Sequence, residues 1–307
     1  WRSRRRSFRI CGSIASCMAN ARADGRVVVF SSTATDLVEG EDANGSGQDV
    51  YLFDRPTGTI ERISESMAGK PSPVGVSVAP SVSADGRLIA FASSADSSAH
   101  PKAPGNAPRL HWHDVYLFDR ERKALRVISR GKDGEAADGA SWSPALSGDG
   151  RSVAFVSNAT NLVANDRNRS MDVFLADVNT GDIVLISRTA SGASANGRSA
   201  SPAISHDGLV VAFQSEASDM LCNRRCTPAS EDINLLWDVF VFVTNLTDRS
   251  MRRVSRDATR EWMEPSEAPA IDASGRVVVF SSRHAMDAAD VKNDFDLFIC
   301  APRLAPH

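Results

Sequence analysis

One unit of text recurs five times along the chain: a turn containing Gly, then a short apolar run that ends in Phe. It reads ADGRVVVF at 23–30, ADGRLIAF at 84–91, GDGRSVAF at 148–155, HDGLVVAF at 206–213 and ASGRVVVF at 273–280. The phenylalanines are Phe30, Phe91, Phe155, Phe213 and Phe280, so the period is 58 to 67 residues. A repeat of that length restricts the fold to an array of one supersecondary unit. A second anchor follows each first one: DVYLFD at 49–54 and 114–119, DVFLAD at 172–177, DVFVFV at 238–243 and DLFICA at 296–301. A third ends in Ser: ERIS at 61–64, RVIS at 126–129, VLIS at 184–187 and RRVS at 252–255. From the Asp of the second anchor to the Ser of the third the spacing is 15, 15, 15 and 17 residues. That near-constant spacing predicts a tight hairpin, while the variable stretch before it predicts tolerant loops.

Each anchor has the composition of a strand, short and rich in Val, Ile and Phe between Gly, Asp, Asn and Pro. Asp-Gly between apolar runs predicts a hairpin, because Gly accepts the positive φ of a tight turn. PTGT at 56–59 and NTGD at 179–182 mark the next reversal. Each repeat therefore holds four strands. One such sheet cannot bury both its faces, but copies set radially bury each against the next. The expectation is all-β: a five-bladed β-propeller of four-stranded antiparallel blades. Small residues in the first strand (SPALS, SPAIS, APAID) suit a crowded place near the axis. The last copy stops after DLFICAPRL, while RSFRIC at 6–11 resembles a fourth strand, so the ring is read as closed by the N-terminal strand. This makes 1–307 a single domain, with repeats at about 17–64, 79–129, 143–187, 201–255 and 268–300 and the closing strand at 6–11. In that closure Cys11 and Cys300 lie about four residues apart along the strands, roughly 13 Å. A disulfide needs Cα atoms within about 7 Å, so no Cys11–Cys300 bond is expected.

The cleanest copy, SGDGRSVAFVSNATNLVANDRNRSMDVFLADVNTGDIVLIS at 147–187, resembles the TolB-type, WD40-like β-propeller repeat of bacterial proteins. The resemblance covers about residues 17–300. It implies a propeller that serves as a binding platform, in a bacterial protein of the periplasm or cell exterior. Some propellers of this type precede a peptidase domain, and fold alone does not assign an activity.

The formal net charge of −3 gives no reason to expect nucleic acid as a partner. No run approaches eighteen apolar residues, so no membrane span is expected. The chain begins at Trp1, consistent with a processed product or a module of a larger protein. Arg5-Arg6-Ser7-Phe8 and Ala19-Asn20-Ala21 can also be read as parts of an export signal, although the apolar stretch between them is short. Five cysteines leave at least one unpaired within the monomer, and Cys222 and Cys226 are placed to clip a loop in an oxidising compartment.

Chemistry is best sought between the second and third strands. The third repeat reads Asp166-x-Asn168-x-Ser170-x-Asp172, the first has Asp42, Asn44, Ser46 and Asp49, and the fifth has Asp290, Asn293, Asp294 and Asp296. Alternating oxygen-bearing side chains wrap a hard cation in the first half of an EF-hand loop, so calcium is the one candidate cofactor, although no bidentate Glu completes such a loop here. The competing reading is turn chemistry, since Asp and Asn side chains also bond their own loops. The Asp that precedes Val or Leu occurs in all five repeats and reads as structural. Insertions at 96–113 and 216–237 break the second and fourth repeats and bring His111, Trp112, His113 and Trp237. Two imidazoles do not complete a transition-metal site. These four residues are instead candidates for contact with a protein or glycan partner. No catalytic residue is assigned. No Gly-x-Ser-x-Gly elbow occurs, and Asp272 is the one acid beside an inner strand, with Glu261, Glu264 and Glu267 ahead of it. The function expected is a non-enzymatic binding scaffold; the alternative is a glycan- or peptide-directed hydrolase or lyase working in the central pocket.

Overall fold

The computed structural model describes residues 19–21, 24–40, 42, 44–45, 47–64, 75–94, 113–131, 134–221, 236–244, 251–255, 265–283 and 295–301. These form nineteen strands in five antiparallel sheets, each a simple meander in chain order. The first sheet holds β1 (Ala19–Ala21), β2 (Val27–Ser32), β3 (Asp49–Asp54) and β4 (Thr59–Arg62). The second holds β5 (Ser77–Val82), β6 (Leu88–Ser93), β7 (Asp114–Asp119) and β8 (Ala124–Val127). In the third are β9 (Ser141–Leu146), β10 (Ser152–Ser157), β11 (Asp172–Asp177) and β12 (Ile183–Leu185). The fourth has β13 (Ser199–Ile204), β14 (Val210–Ser215), β15 (Asp238–Val243) and β16 (Met251–Arg253). The fifth has β17 (Ser266–Ile271), β18 (Val278–Ser282) and β19 (Asp296–Cys300), with no fourth strand among the described residues. The segment 6–11, expected to complete it, lies outside them. Ala19–Ala21, which also reads as a processing site, is the innermost strand of the first sheet and pairs with Val28–Phe30.

The sheets stack face to face, with first strands adjacent from one sheet to the next. Alternation along each third strand drives this. Val115 and Leu117 point forward into a core shared with Phe155 and Phe174 of the third sheet. Tyr116, between them, points back into the core shared with Val50 and Leu52 of the first. The same division joins Val173 and Leu175 to Phe213 and Phe240, and Val239 and Val241 to Phe280 and Phe298. On the backward face of every sheet two aromatic rings lie opposite each other and stack, with centroids 5.6–6.0 Å apart. Such cross-strand pairs stabilise a sheet beyond the area they bury. The cores join sheets one to two, two to three, three to four and four to five. The forward face of the fifth sheet is open, with Leu297 72% and Ile299 71% exposed.

The Asp-Gly turns build one end of the stack. Ser83, Ser147 and Ser205 each donate to the Asp two residues on, at 2.5–2.6 Å, and accept the amide of the next strand at 3.0 Å. Successive turns are also joined through main chain, Ala84 N to Gly148 O at 2.8 Å and His206 N to Ala273 O at 2.9 Å. Gly275 must be glycine twice over. Its φ is +72°, and a Cβ there would lie 2.7 Å from Val210 of the preceding sheet.

The first strands are small-residue strands for a reason beyond crowding. Ala79, Ser143, Ser201 and Ala268, each before a Pro, have φ of 50–54° and sit at an irregularity in the pairing of the first two strands. A left-handed residue at a β-bulge is least strained when its side chain is small.

Candidate functional site

The opposite end of the stack gathers the starts of the first and third strands and the ends of the second and fourth. Two buried polar clasps repeat there. Ser77–Ser93, Ser141–Ser157, Ser199–Ser215 and Ser266–Ser282 pair through their hydroxyls at 2.8–3.0 Å. The invariant Asp and Ser of the hairpin form the second clasp. Ser64 donates to Asp49 at 2.6 Å, Ser129 to Asp114 at 2.7 Å and Ser187 to Asp172 at 2.5 Å, and Ser255 donates to Asp238. Each of these hydroxyls also accepts the amide of the residue after the Asp, at 2.9–3.0 Å. The repeated Asp is therefore structural in four sheets, as its presence in every repeat implied. In the fifth, which lacks a described fourth strand, Asp296 is exposed.

The second carboxylate oxygen of the clasp meets different surroundings in different sheets. In the fourth, Asp238 is fully buried and Arg253, 2% exposed at its side chain, reaches its Oδ2 at 3.3 Å. In the first, burial raises the Asp49 carboxyl, with the Ser64 hydrogen bond and the Arg62 charge pulling it back. Arg62 and Arg253 hold the same register, opposite Tyr51 and Phe240; the third sheet has Leu185 there, opposite Phe174. Asp172 is 0% and Asp166 7% exposed, and Oδ2 of the one and Oδ1 of the other are buried without a hydrogen-bond partner. Burial pushes Asp172 up to about 7, against the Ser187 hydrogen bond and the nearby Asn168 amide, and the Asp166 charge pushes it up further. Asp166 is raised to about 6, chiefly by burial and also by the Asp138 charge, against a hydrogen bond from the Asn168 main-chain amide.

The rest of that loop is stapled to the segment leading into the fourth sheet. Asn168 donates to Ala195 O at 2.8 Å, and its own oxygen accepts the Ser170 amide at 2.9 Å. Ser194 accepts the Arg167 amide at 2.9 Å, and Asn165 donates to Gly192 O. In the first sheet Asp42 Oδ1 and Asn44 Oδ1 are likewise buried without a partner, while the Asn44 amide donates to Gly75 O at 3.3 Å. Asp290, Asn293 and Asp294 lie outside the described residues. Among the described residues no three Asp, Glu, His or Cys side chains converge on a common point. A cation held by Asp166 and Asp172 would therefore take its other ligands from amide or main-chain oxygens and water, which calcium accepts.

Of the candidate contact residues, His111 and Trp112 lie outside the described residues. His113 and Trp237 occupy equivalent places at this end, their carbonyls accepting the amides of Ser141 and Ser266 at 2.7 and 2.6 Å. The Arg198 guanidinium lies 5.6 Å from the centre of the Trp237 ring and forks onto Glu216 at 2.6 and 2.8 Å. The sequence singled out Trp237 but not Arg198 or Glu216, which come from opposite ends of a hairpin, β13–β14. Asp272 caps a turn at the other end: its oxygens accept from Val277 N at 2.7 Å and Ser274 Oγ at 2.5 Å. A perimeter groove of about 630 Å³ between the second and third sheets, lined by Arg126, Arg130, Asp177 and Asp182, carried no sequence signal. Its charged residues come from two repeats, and only stacking unites them. Cys300 is a free thiol, and Cys222 and Cys226 lie outside the described residues.

No family model matches this chain, and no curated protein does. Among solved structures it is similar to TolB from Acinetobacter baumannii, at 17% identity and a TM-score of 0.48, over 92% of this chain and 51% of that one. This chain thus spans about half the length of that TolB. It is also similar to the β-propeller domain of the Trilobed protease from Pyrococcus furiosus, at 10% identity, TM-score 0.49, over 95% of this chain and 71% of that one. An oligogalacturonate lyase in complex with manganese matches at 13% identity, TM-score 0.48, over 94% of this chain and 66% of that one. Four four-stranded meanders and a fifth with three described strands, stacked face to face, are the blades of a β-propeller fold.

Proposed function

We propose that the protein is a non-catalytic binding propeller of the periplasm or cell exterior, whose loop end receives a protein or glycan partner. The observation that carries this reading is the patch of Leu236, Trp237, Arg198 and Glu216. An indole beneath a guanidinium, itself held by a forked carboxylate, presents a wide, rigid surface at the rim; Trp and Arg of this kind dominate binding energy at interfaces. Leu236, 36% exposed, extends the apolar part of the patch. The repeated polar side chains behind it are engaged within the fold, in clasps and turns, which leaves the irregular loops to carry recognition.

The test is a peptide and glycan array read twice, for retained protein and for cleaved probe by mass spectrometry. Retention of intact probes, weakened about tenfold or more by Trp237→Ala, is the expected result. Cleavage of a probe would replace this reading with the hydrolase or lyase alternative. Retention unaffected by Trp237→Ala and Arg198→Ala would move the binding surface elsewhere.

A further inference from the structure

We propose that the loop end of the third sheet is a calcium site, with Asp166 and Asp172 as its carboxylate ligands. The comparison within the molecule makes the case. The same buried Asp closes the hairpin in the first four sheets, but its surroundings differ from sheet to sheet. The fourth sheet supplies the internal cation Arg253. The first places Arg62 in the same register. The second has Val127 there, but its preceding insertion holds no Asp or Glu between 97 and 113. The third combines an apolar Leu185 with a second buried carboxylate, so the negative charge is doubled where the internal cation is missing. Asp138, which accepts from the Thr160 amide and hydroxyl at 2.6 Å each, adds a third negative charge to the surroundings of Asp166.

Burying an unpaired carboxylate is costly, and two that repel are costlier. The unpartnered oxygens of Asp166 and Asp172 are more than nine-tenths buried, so water does not offset that cost. A divalent cation between them does. Hard oxygen donors exclude the thiolate- and imidazole-seeking metals. An irregular loop that offers two carboxylates and main-chain oxygens suits calcium's loose coordination better than magnesium's strict octahedron. Bound there, the ion would cross-link the 163–171 loop to the third-fourth hairpin of its own sheet. The loop is already stapled to 189–198 by Asn165, Asn168 and Ser194, so the ion would stiffen the rim that leads into the fourth sheet.

The experiment is calorimetric titration of the full chain, freed of metal with EDTA and desalted, with calcium chloride and separately with magnesium chloride. Thermal unfolding in the same buffers runs beside it. The result expected is one calcium per chain and a rise in Tm of about 4 °C at 5 mM calcium, with a smaller response to magnesium. Asp166→Asn, which keeps the shape and removes one charge, should weaken calcium binding at least about tenfold. Leu185→Arg installs in the third sheet the cation that the fourth already has, and its folded form should no longer respond to calcium. No heat and no Tm shift for the native chain would overturn the proposal. Calcium binding undiminished in Asp166→Asn, or in a Leu185→Arg protein with native circular dichroism, would overturn it equally.

Discussion

Replacing Ser129 by Ala tests whether the Asp–Ser clasp holds the third and fourth strands of a blade together. Ser129 is 0% exposed. Its hydroxyl donates to Asp114 Oδ1 at 2.7 Å and accepts the Val115 amide at 3.0 Å. Ala removes a hydrogen bond to a charged group, worth about 1.5–3 kcal/mol, and strips a buried amide of its partner, which costs about 1–3 kcal/mol. The two overlap, because both describe one missing oxygen, so the net loss should be about 2–4 kcal/mol. An unfolding entropy of about 2.1 cal/mol/K per residue over 307 residues is roughly 0.64 kcal/mol/K. A loss of about 3 kcal/mol therefore lowers Tm by about 5 °C. Differential scanning calorimetry reads this directly, and Ser64→Ala, with the same geometry in the first sheet, should give a similar shift. A double-mutant cycle with Asp114→Ala isolates the pair and should return a coupling of about 1.5 kcal/mol or more. A Tm shift below about 1 °C, or strictly additive losses in the cycle, would refute the clasp as a source of stability.

Two further perturbations probe charge and packing. The Arg87 guanidinium, 2.6 Å from Asp119, holds that carboxyl at about 2. A carboxylate whose folded value lies below its ordinary 3.8 favours the folded state at higher pH, and that contribution fades as pH falls from about 4 to about 2. Arg87 is 31% exposed, so solvent screens the pair; Arg87→Ala should flatten the stability profile over that window, and a parallel profile would refute the pairing. On the open face of the fifth sheet, Ile299→Ala should cost less than about 0.5 kcal/mol. Leu117→Ala, the equivalent position in the second sheet and 2% exposed, should cost about 2–5 kcal/mol, and similar losses at both would show that the Ile299 face is covered.

What the chain alone determined is what local rules can write. The Asp-Gly turns, the strands beside them and the 15-residue hairpin spacing are short-range features, since a positive-φ Gly and a Val-rich run act within a few residues. Repetition then turned local signals into a global one, because five similar sheets can bury their faces only against each other. The role of the repeated Asp followed from its presence even where the loop pattern was lost. The bulge beneath Ser143 and its three counterparts was visible only as a run of small residues before Pro, since a left-handed φ before Pro leaves no distinct signature in the text.

The charge balance of the site was decided by tertiary structure. Leu185 reads as an ordinary core residue until its register places it where Arg253 stands in the next sheet. Asp166 and Asp172 form a recognisable pattern, but whether their oxygens face water or lie buried without partners depends on how the loop folds over the hairpin. The Trp237 patch likewise needed β13 and β14 to bring Arg198 and Glu216 together beside the ring. Strand order and turn chemistry are local in range, whereas burial and charge pairing depend on neighbours distant in sequence, and those exist only once the sheets have stacked.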